Sequence, residues 1–225
     1  PPFPRPPSLR LAARLAPGLA SILVLFGPGP GATQTIRVEE RAGIARASEP
    51  VTLGMPFARG ILPESTPLRI IYDAVPADAQ FRPMAPWDDG SIKWLKCDFQ
   101  ATVGANAMRD YALELGVSHT PSTELDVTGD GHSLTVTTGP LRFVVSKDRF
   151  NLFDGVWLDL DGDRLYEDDE IIGPPDLATT GPVVTAGGVD YRAAAGAPDE
   201  VKVDEEGPMK VVIRVAGKHR SGADS

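Results

Sequence analysis

The sequence predicts a mostly β protein built from two successive units. Its 225 residues include 23 glycines and 22 prolines, which are the residues that most often form tight turns. Between these turn residues lie short runs rich in valine, isoleucine and threonine, in which apolar and polar residues alternate as in a half-buried strand. No segment has the sustained periodicity of an amphipathic helix. We therefore expect a small barrel or sandwich of five or six strands, followed by a second β-rich unit.

Residues 1–33 are predicted to be a signal peptide or a disordered leader. Three arginines and no acidic residue precede an apolar run over 15–26, and small residues follow over 27–32. This order is typical of a secretory signal, whereas a span of the bilayer needs about 20 apolar residues. We expect a secreted, periplasmic or cell-surface protein with no membrane contact beyond this segment. An uncleaved anchor is the alternative.

The first unit is predicted over residues 34–117, with short strands at 35–39, 49–57, 68–72, 79–84, 91–100 and 108–116. An Asp89-Gly90 turn leads into the strand that begins at Ser91. Pro50 and Pro56 suit an edge strand or a bend, because proline cannot donate to a β-ladder. The apolar residues change parity between Trp94 and Leu95, which fits a β-bulge or a strand buried on both faces.

The single cysteine, Cys97, is predicted to be a core residue. It lies between Leu95 and Phe99 at strand spacing, where a thiol behaves as a small apolar side chain. A catalytic thiol needs a nearby histidine or a positive pocket, and nothing in the sequence supplies either. One cysteine also excludes an internal disulfide.

The second unit is predicted over residues 134–225, after a polar linker at 118–133. A hairpin turns at Gly139-Pro140, a strand surrounds Trp157, and further strands follow at 183–185 and 210–215. We interpret this unit as the start of a β-sandwich-like domain and expect it to be incomplete.

The charge distribution excludes a nucleic-acid-binding protein. The net charge is -9, and residues 1–34 carry three arginines and no acid, so the remainder is near -12. Affinity for a phosphate backbone requires clustered basic residues, and this sequence has the opposite balance.

Three segments resemble a known family. The first is VTLGMPFARG at 51–60, the second is WDDGSIKWLKCDFQ at 87–100, and the third begins with TGPLRF at 138–143 and continues to Asp159. In this order they resemble the exo-rhamnogalacturonan lyase and YetA-like (PcRGLX-like) polysaccharide lyase family. The resemblance implies a RIFT-type β-barrel, then a β-rich domain, and an α/α toroid outside this chain. Relatives release unsaturated disaccharides from rhamnogalacturonan by β-elimination.

An acidic segment, 159–170, matches the spacing of a calcium loop. The residues predicted to supply its carboxylates or its backbone carbonyl, at positions 1, 3, 5, 7 and 12, are Asp159, Asp161, Asp163, Leu165 and Glu170. Arg164 departs from the pattern, since position 6 is a glycine in such loops. The alternative is a solvated hairpin tip that turns at Asp161-Gly162 without an ion. A calcium ion here would be structural.

Other candidate site residues are few. Trp87 abuts a turn and is a candidate for stacking on a sugar, although tryptophan more often packs in the core or against a turn. His119, His132 and His219 lie in polar, loop-like segments, where surface histidines are expected rather than a general base. We predict no catalytic residue in this chain.

Two functions are consistent with these observations. The resemblance favours the N-terminal scaffold portion of a secreted lyase-like protein, whose partner would be an acidic plant polysaccharide bound through the parent protein. A non-catalytic, exported carbohydrate-binding or cell-surface β-protein is the alternative. In either case the acidic chain would repel a polyanion unless basic residues or bound cations intervene.

Overall fold

A computed structural model of the chain describes residues 10–13, 21–25, 33–173 and 181–222. The chain divides into two compact units, Pro1–Ser122 and Thr123–Ser225. In both, nearly all of the regular secondary structure among the described residues is antiparallel strand, which confirms the mostly β fold class. Within these described ranges, none of the helices is long and apolar enough to cross a membrane.

The first unit contains nine described strands. They are β1 (Arg10–Ala13), β2 (Ser21–Leu25), β3 (Gln34–Glu39), β4 (Arg46–Pro56), β5 (Leu68–Tyr72), β6 (Val75–Ala77), β7 (Ala79–Pro86), β8 (Ile92–Val103) and β9 (Met108–Leu115). A six-stranded sheet has the order β1-β2-β3-β9-β5-β6, and a three-stranded sheet has the order β4-β8-β7. The predicted Asp89-Gly90 turn precedes β8, and Gly90 adopts a φ of 81°.

The core of the first unit is formed by inward-facing side chains of both sheets. Ile36 and Leu113 come from the six-stranded sheet, and Leu95, Cys97 and Phe99 from the three-stranded sheet; none is more than 2% exposed. Burial raises the pKa of the Cys97 thiol far above its ordinary value, with a smaller contribution from the negative charge of Asp98. The predicted core role of Cys97 is confirmed, because a buried neutral thiol is a poor nucleophile.

Prolines and a bulge shape the three-stranded sheet as the sequence indicates. Pro50 lies in β4, which among the described residues pairs with β8 alone, so the predicted edge position is confirmed. Two register shifts between β7 and β8 flank the Ala85–Trp94 pair: the extra residue is Met84 of β7 at the first shift and Lys93 of β8 at the second. One bulge, in β7, therefore lies opposite the step from Trp94 to Leu95 where the parity changes, and a second lies in β8 itself, one residue before that step.

A buried carboxylate, Glu40, closes the end of β3. It is 1% exposed, and its oxygens accept backbone N–H groups of Ala42 (2.6 Å), Gly43 (3.0 Å), Ile44 (3.2 Å) and Asn106 (2.8 Å). These hydrogen bonds, with that from Asn106 the largest, hold the pKa of Glu40 below its ordinary value. Glu40 thus ties the turn after β3 to the turn before β9.

Two short strands precede β3 in the segment predicted as a leader. β2 pairs antiparallel with β3, with Ile22 opposite Val38, and β1 pairs with β2. The other residues of 1–32 lie outside the described part of the chain. The secretory signal therefore stays a prediction.

The described residues of the second unit form nine strands and two short 3-10 helices. The strands are β10 (Leu125–Gly129), β11 (Ser133–Thr138), β12 (Leu141–Ser146), β13 (Gly155–Leu158), β14 (Ile171–Gly173), β15 (Val183–Ala186), β16 (Val189–Arg192), β17 (Glu200–Glu205) and β18 (Val212–Ala216). The 3-10 helices are Asp168–Glu170 and Ala193–Ala195. β10 to β14 form one meandering sheet, while β15–β16 and β17–β18 are separate hairpins.

The apolar side chains of the second unit are less deeply buried than those of the first. Leu134, Val136 and Val145 are buried, whereas Phe153 remains 36% exposed beside Phe143. A cavity of about 510 Å³ is lined by side chains of β10, β11, β12 and β18, and of the segments that follow β12 and β17.

The boundary between the units differs in part from the predicted linker at 118–133. The chain divides after Ser122, inside that segment, but Leu125–Gly129 forms β10 and pairs with β11. The sequence LDVTG alternates as a strand does, and the polar residues on both sides of it obscured the signal.

Candidate metal site

The acidic segment 159–170 is the connection between β13 and β14. These strands pair antiparallel, with Trp157 opposite Ile171, so the two ends of the segment are held side by side. The 3-10 helix Asp168–Glu170 leads directly into β14. This arrangement explains why residues eleven positions apart meet at the base of the loop.

Three carboxylates converge there. Asp159, Asp161 and Glu170 each offer one oxygen, and these oxygens lie within 4.8 Å of one another. Glu170 is 5% exposed, Asp159 is half-buried and Asp161 is exposed. The group is thus open to solvent on the side of Asp161 and closed on the side of Glu170.

Backbone N–H groups of the loop also bind these carboxylates. Asp159 accepts hydrogen bonds from the N–H groups of Gly162 (2.6 Å) and Arg164 (3.0 Å). Glu170 accepts from Leu160 (2.7 Å) and Glu167 (3.3 Å). The loop is therefore ordered around its acidic residues, as both the calcium loop and the ion-free hairpin tip require.

Arg164, the departure from the calcium-loop pattern, adopts the conformation that glycine would favour. Its φ is +66°, in the left-handed region, and Gly162 has a φ of +83°. The Arg164 side chain forms an ion pair with Glu124. The sharp turn that position 6 needs is therefore present, although an arginine forms it.

One of the predicted carboxylates is placed differently. Asp163 lies outside the group of three, and its Oδ1 accepts the N–H of Leu165 at 2.8 Å. Leu165 is predicted to offer only its backbone carbonyl, and that role stays a prediction. The spacing thus identified the carboxylates at the loop base, but not the orientation of those at its tip.

Glu167, which is not among the predicted ligands, also belongs to this electrostatic environment. Glu167 is exposed, but its pKa is raised, first by partial desolvation and then by the negative charges of Asp163, Glu170, Asp161 and Asp169. It occupies position 9 of the twelve-residue pattern, which frequently contributes to calcium loops through a water molecule. That position was the signal that could have identified it.

The donor set fits a hard cation. Calcium prefers oxygen ligands and takes six to eight of them, so three carboxylates would need backbone carbonyls or water to complete its coordination. A zinc site would instead use histidine or cysteine, and the group contains neither. The residues that would hold the ion are Asp159, Asp161 and Glu170.

Part of the Trp87 side chain is in contact with other residues of the first unit. Its indole N–H donates to the carbonyl of Phe57 at 3.0 Å, and Nζ of Lys93 lies 4.5 Å from the ring centroid. The next turn is fixed by Asp89, which accepts both the N–H and the hydroxyl of Ser91. Sugar stacking on Trp87 stays a prediction, and Lys93 covers part of the ring.

Two histidines each pair with an aspartate. Nε2 of His119 lies 2.8 Å from Asp78, and Nδ1 of His132 lies 2.9 Å from Asp148. The first pair is about one-third exposed and the second is largely exposed. In the described part of the chain, no arginine or lysine side chain hydrogen-bonds to either pair.

The comparisons with known proteins agree with the resemblance drawn from the three motifs. Residues 36–114 match the family model described as the PcRGLX-like N-terminal RIFT barrel domain. Over 194 residues the chain is 24% identical to the uncharacterized protein YetA of Bacillus subtilis (strain 168). That match covers 81% of this chain and 21% of YetA, so the chain spans about a fifth of the length of this relative. The predicted family resemblance and the RIFT barrel are confirmed.

Proposed function

Because residues 36–114 match the N-terminal RIFT barrel domain of PcRGLX-like proteins, we propose that this chain is the N-terminal scaffold portion of a secreted polysaccharide lyase. The parent protein would act on pectic rhamnogalacturonan by β-elimination, and its catalytic residues would lie outside this chain. The family match is the observation that carries this proposal.

The distribution of titratable groups supports a scaffold. β-Elimination needs a base for the proton α to the uronate carboxylate, a cation to stabilise the developing negative charge and an acid for the leaving oxygen. The two histidine–aspartate pairs lie in different units and neither is joined by a basic side chain in the described residues.

The acidic loop would contribute a structural calcium ion. The ion would neutralise the carboxylates of Asp159, Asp161 and Glu170 and hold the β13–β14 connection closed. Its proposed role is to stabilise the second unit, and no step of the reaction is assigned to it.

The test compares this chain with the longer parent protein on rhamnogalacturonan. Elimination creates a carbon–carbon double bond conjugated to the carboxylate, so product formation is followed by ultraviolet absorbance. We expect product from the parent and none from the 225-residue chain. Elimination by this chain alone would contradict the scaffold proposal. A parent protein that binds the polysaccharide but forms no product would favour the carbohydrate-binding alternative.

A further inference from the structure

The first unit has a polar cavity that the proposed function does not use. It has a volume of about 450 Å³ and is lined by Arg37, Tyr72, Asp73, Arg109 and Asp110, together with small residues of the β8–β9 turn. This volume is within the range of about 300–1,000 Å³ that small-molecule sites occupy. Its lining contains both cationic donors and anionic acceptors.

A series of ring contacts connects this cavity to the core. Phe99 and Tyr111 are 2% and 3% exposed, and their ring centroids lie 5.0 Å apart in an edge arrangement. The ring of Tyr72 lies 5.5 Å from that of Tyr111, and Cζ of Arg109 lies 4.0 Å from the Tyr72 centroid. The guanidinium of Arg109 is therefore held in place by aromatic packing that begins in the core.

The other charged groups of the cavity already have polar partners. Arg37 donates two hydrogen bonds of 2.7 Å to the two oxygens of Asp110. Tyr72 hydrogen-bonds to Asp73, which raises the pKa of the Tyr72 hydroxyl. Arg109 forms no ion pair within the part of the chain that the structure describes. Stacking on a ring face leaves the N–H donors at the guanidinium edge available to a ligand.

The backbone at the cavity mouth is strained. Asp73 and Ala74 have φ values of +48° and +63°, although neither is glycine, and they form the two-residue turn between β5 and β6. Non-glycine residues in the left-handed region cluster at ligand-binding sites, where the surrounding structure maintains them. This turn keeps the carboxylate of Asp73 beside the Tyr72 hydroxyl and at the cavity.

We propose that this cavity binds one uronic acid unit of an acidic polysaccharide. The edge of Arg109 would donate two parallel hydrogen bonds to the sugar carboxylate, the geometry for which a guanidinium is best suited. The carboxylates of Asp73 and Asp110 would accept hydrogen bonds from the sugar hydroxyls. That the ligand is part of a polysaccharide rests on the proposed function; that it is a uronic acid rests on the groups that line this cavity.

The balance of charges favours a sugar acid over a simple anion. Two arginines and two aspartates line the cavity, so its formal charge is zero. An inorganic dianion would be attracted by the arginines but repelled by the aspartates, because it carries only negatively charged hydrogen-bond acceptors. A uronate has one carboxylate that can accept hydrogen bonds from Arg109 and several hydroxyl groups that can donate to the aspartates. Both the cationic and the anionic groups of the cavity would therefore be paired.

The test is a titration of the 225-residue chain with galacturonate, followed by NMR of the arginine Nε–Hε groups. The neutral sugar galactose and inorganic phosphate serve as comparison ligands. We expect the Nε–Hε signal of Arg109 to shift saturably with galacturonate, and not with galactose or phosphate. The affinity of the Arg109→Gln variant for galacturonate should be at least about tenfold weaker than that of the native chain. The matched control, Arg59→Gln, removes an arginine of the same unit that pairs with Asp89 away from the cavity, and should leave affinity unchanged.

Either of two results would overturn the inference. The first is the absence of a galacturonate-dependent shift at Arg109 in the native chain, a measurement that needs no variant to fold. The second is equal binding of galactose or phosphate. The proposed function fails separately: galacturonate binding without pectin cleavage by the parent refutes the lyase alone, whereas cleavage without binding here refutes the uronate site alone.

Discussion

Calcium should stabilise the second unit through the β13–β14 loop, and the structure sets the size of the effect. The oxygens of Asp159, Asp161 and Glu170 lie no more than 4.8 Å apart. At that distance each pair of negative charges repels by about 0.9 kcal/mol even in a water-like dielectric, so three pairs amount to roughly 2.6 kcal/mol. Physiological salt reduces this by about half. Relief of the repulsion by a bound cation is therefore worth about 1–3 kcal/mol.

Mass action gives a similar figure. Calcium sites of extracellular modules have dissociation constants of about 0.1–1 mM. At about 10 mM calcium, such a site stabilises the folded state by roughly 1.4–2.7 kcal/mol. For a unit of about 100 residues, each kcal/mol raises the melting temperature by about 4–8 °C, so we expect a rise of at least about 5 °C.

Calorimetry of the chain with calcium and with a chelator measures this shift. Asp161→Asn should abolish the calcium-dependent rise, yet be no less stable than the native chain in chelator, because it removes a repelling charge and keeps the Oδ1 that accepts the Asp163 N–H. Asp168→Asn removes a charge from the same segment, outside the group of three, and should keep the rise. An unchanged melting temperature in calcium would refute the metal site and leave the ion-free hairpin tip.

Three further predictions concern the first unit, one of them by comparison with a site in the second. Ala74→Gly should stabilise it by about 0.5–1 kcal/mol, because the left-handed conformation costs an L-residue more than glycine loses in chain entropy; a lower urea midpoint would contradict this. Phe99→Ala should cost about 3–5 kcal/mol in urea unfolding, and Phe153→Ala, at a 36% exposed site, much less; equal losses would argue against the described core. Glu40→Gln should destabilise the chain at pH 7. The folded-state pKa of Glu40 is lowered from about 4.5, so its contribution is present above that pH and is lost as the pH falls through the folded-state value. The difference from the native chain in urea unfolding should therefore shrink between pH 5 and pH 3; a difference independent of pH would contradict the role of its charge.

Much of the strand order could be predicted because alternation reports burial directly. The predicted strand at 68–72 coincides with β5, and the strand at 108–116 with β9 to within one residue. β6 was missed because three residues that include a proline carry too little periodicity to be recognised. Its position depends on the strained turn at Asp73 and Ala74, whose sequence lacks the asparagine or glycine that normally marks a two-residue hairpin.

The two candidate sites differ in how far sequence could reveal them. The acidic loop is a local segment, so the spacing of its residues was enough to predict that Asp159 and Glu170 lie close together. In the structure the pairing of β13 with β14 holds them there. The cavity at Arg109 joins β3, β5 and β9, which lie far apart in the chain, and no motif marks them. Its ring contacts depend on the register that places Ile71 opposite Ala112, which only the folded sheet specifies.

The net charge predicts how salt should affect the uronate site. A chain with a net charge of -9 repels a polygalacturonate as a whole, and this long-range repulsion is screened within about 8 Å at physiological salt. The contact between Arg109 and one carboxylate is short-ranged, so salt weakens it less. Affinity for an oligogalacturonate should therefore rise or stay constant between about 20 and 200 mM salt. A protein that bound the same ligand through a basic surface would lose affinity steeply over this range, because its attraction would itself be long-ranged. Calorimetric titration at several salt concentrations measures the trend, and a steep loss would show that binding occurs elsewhere than at Arg109.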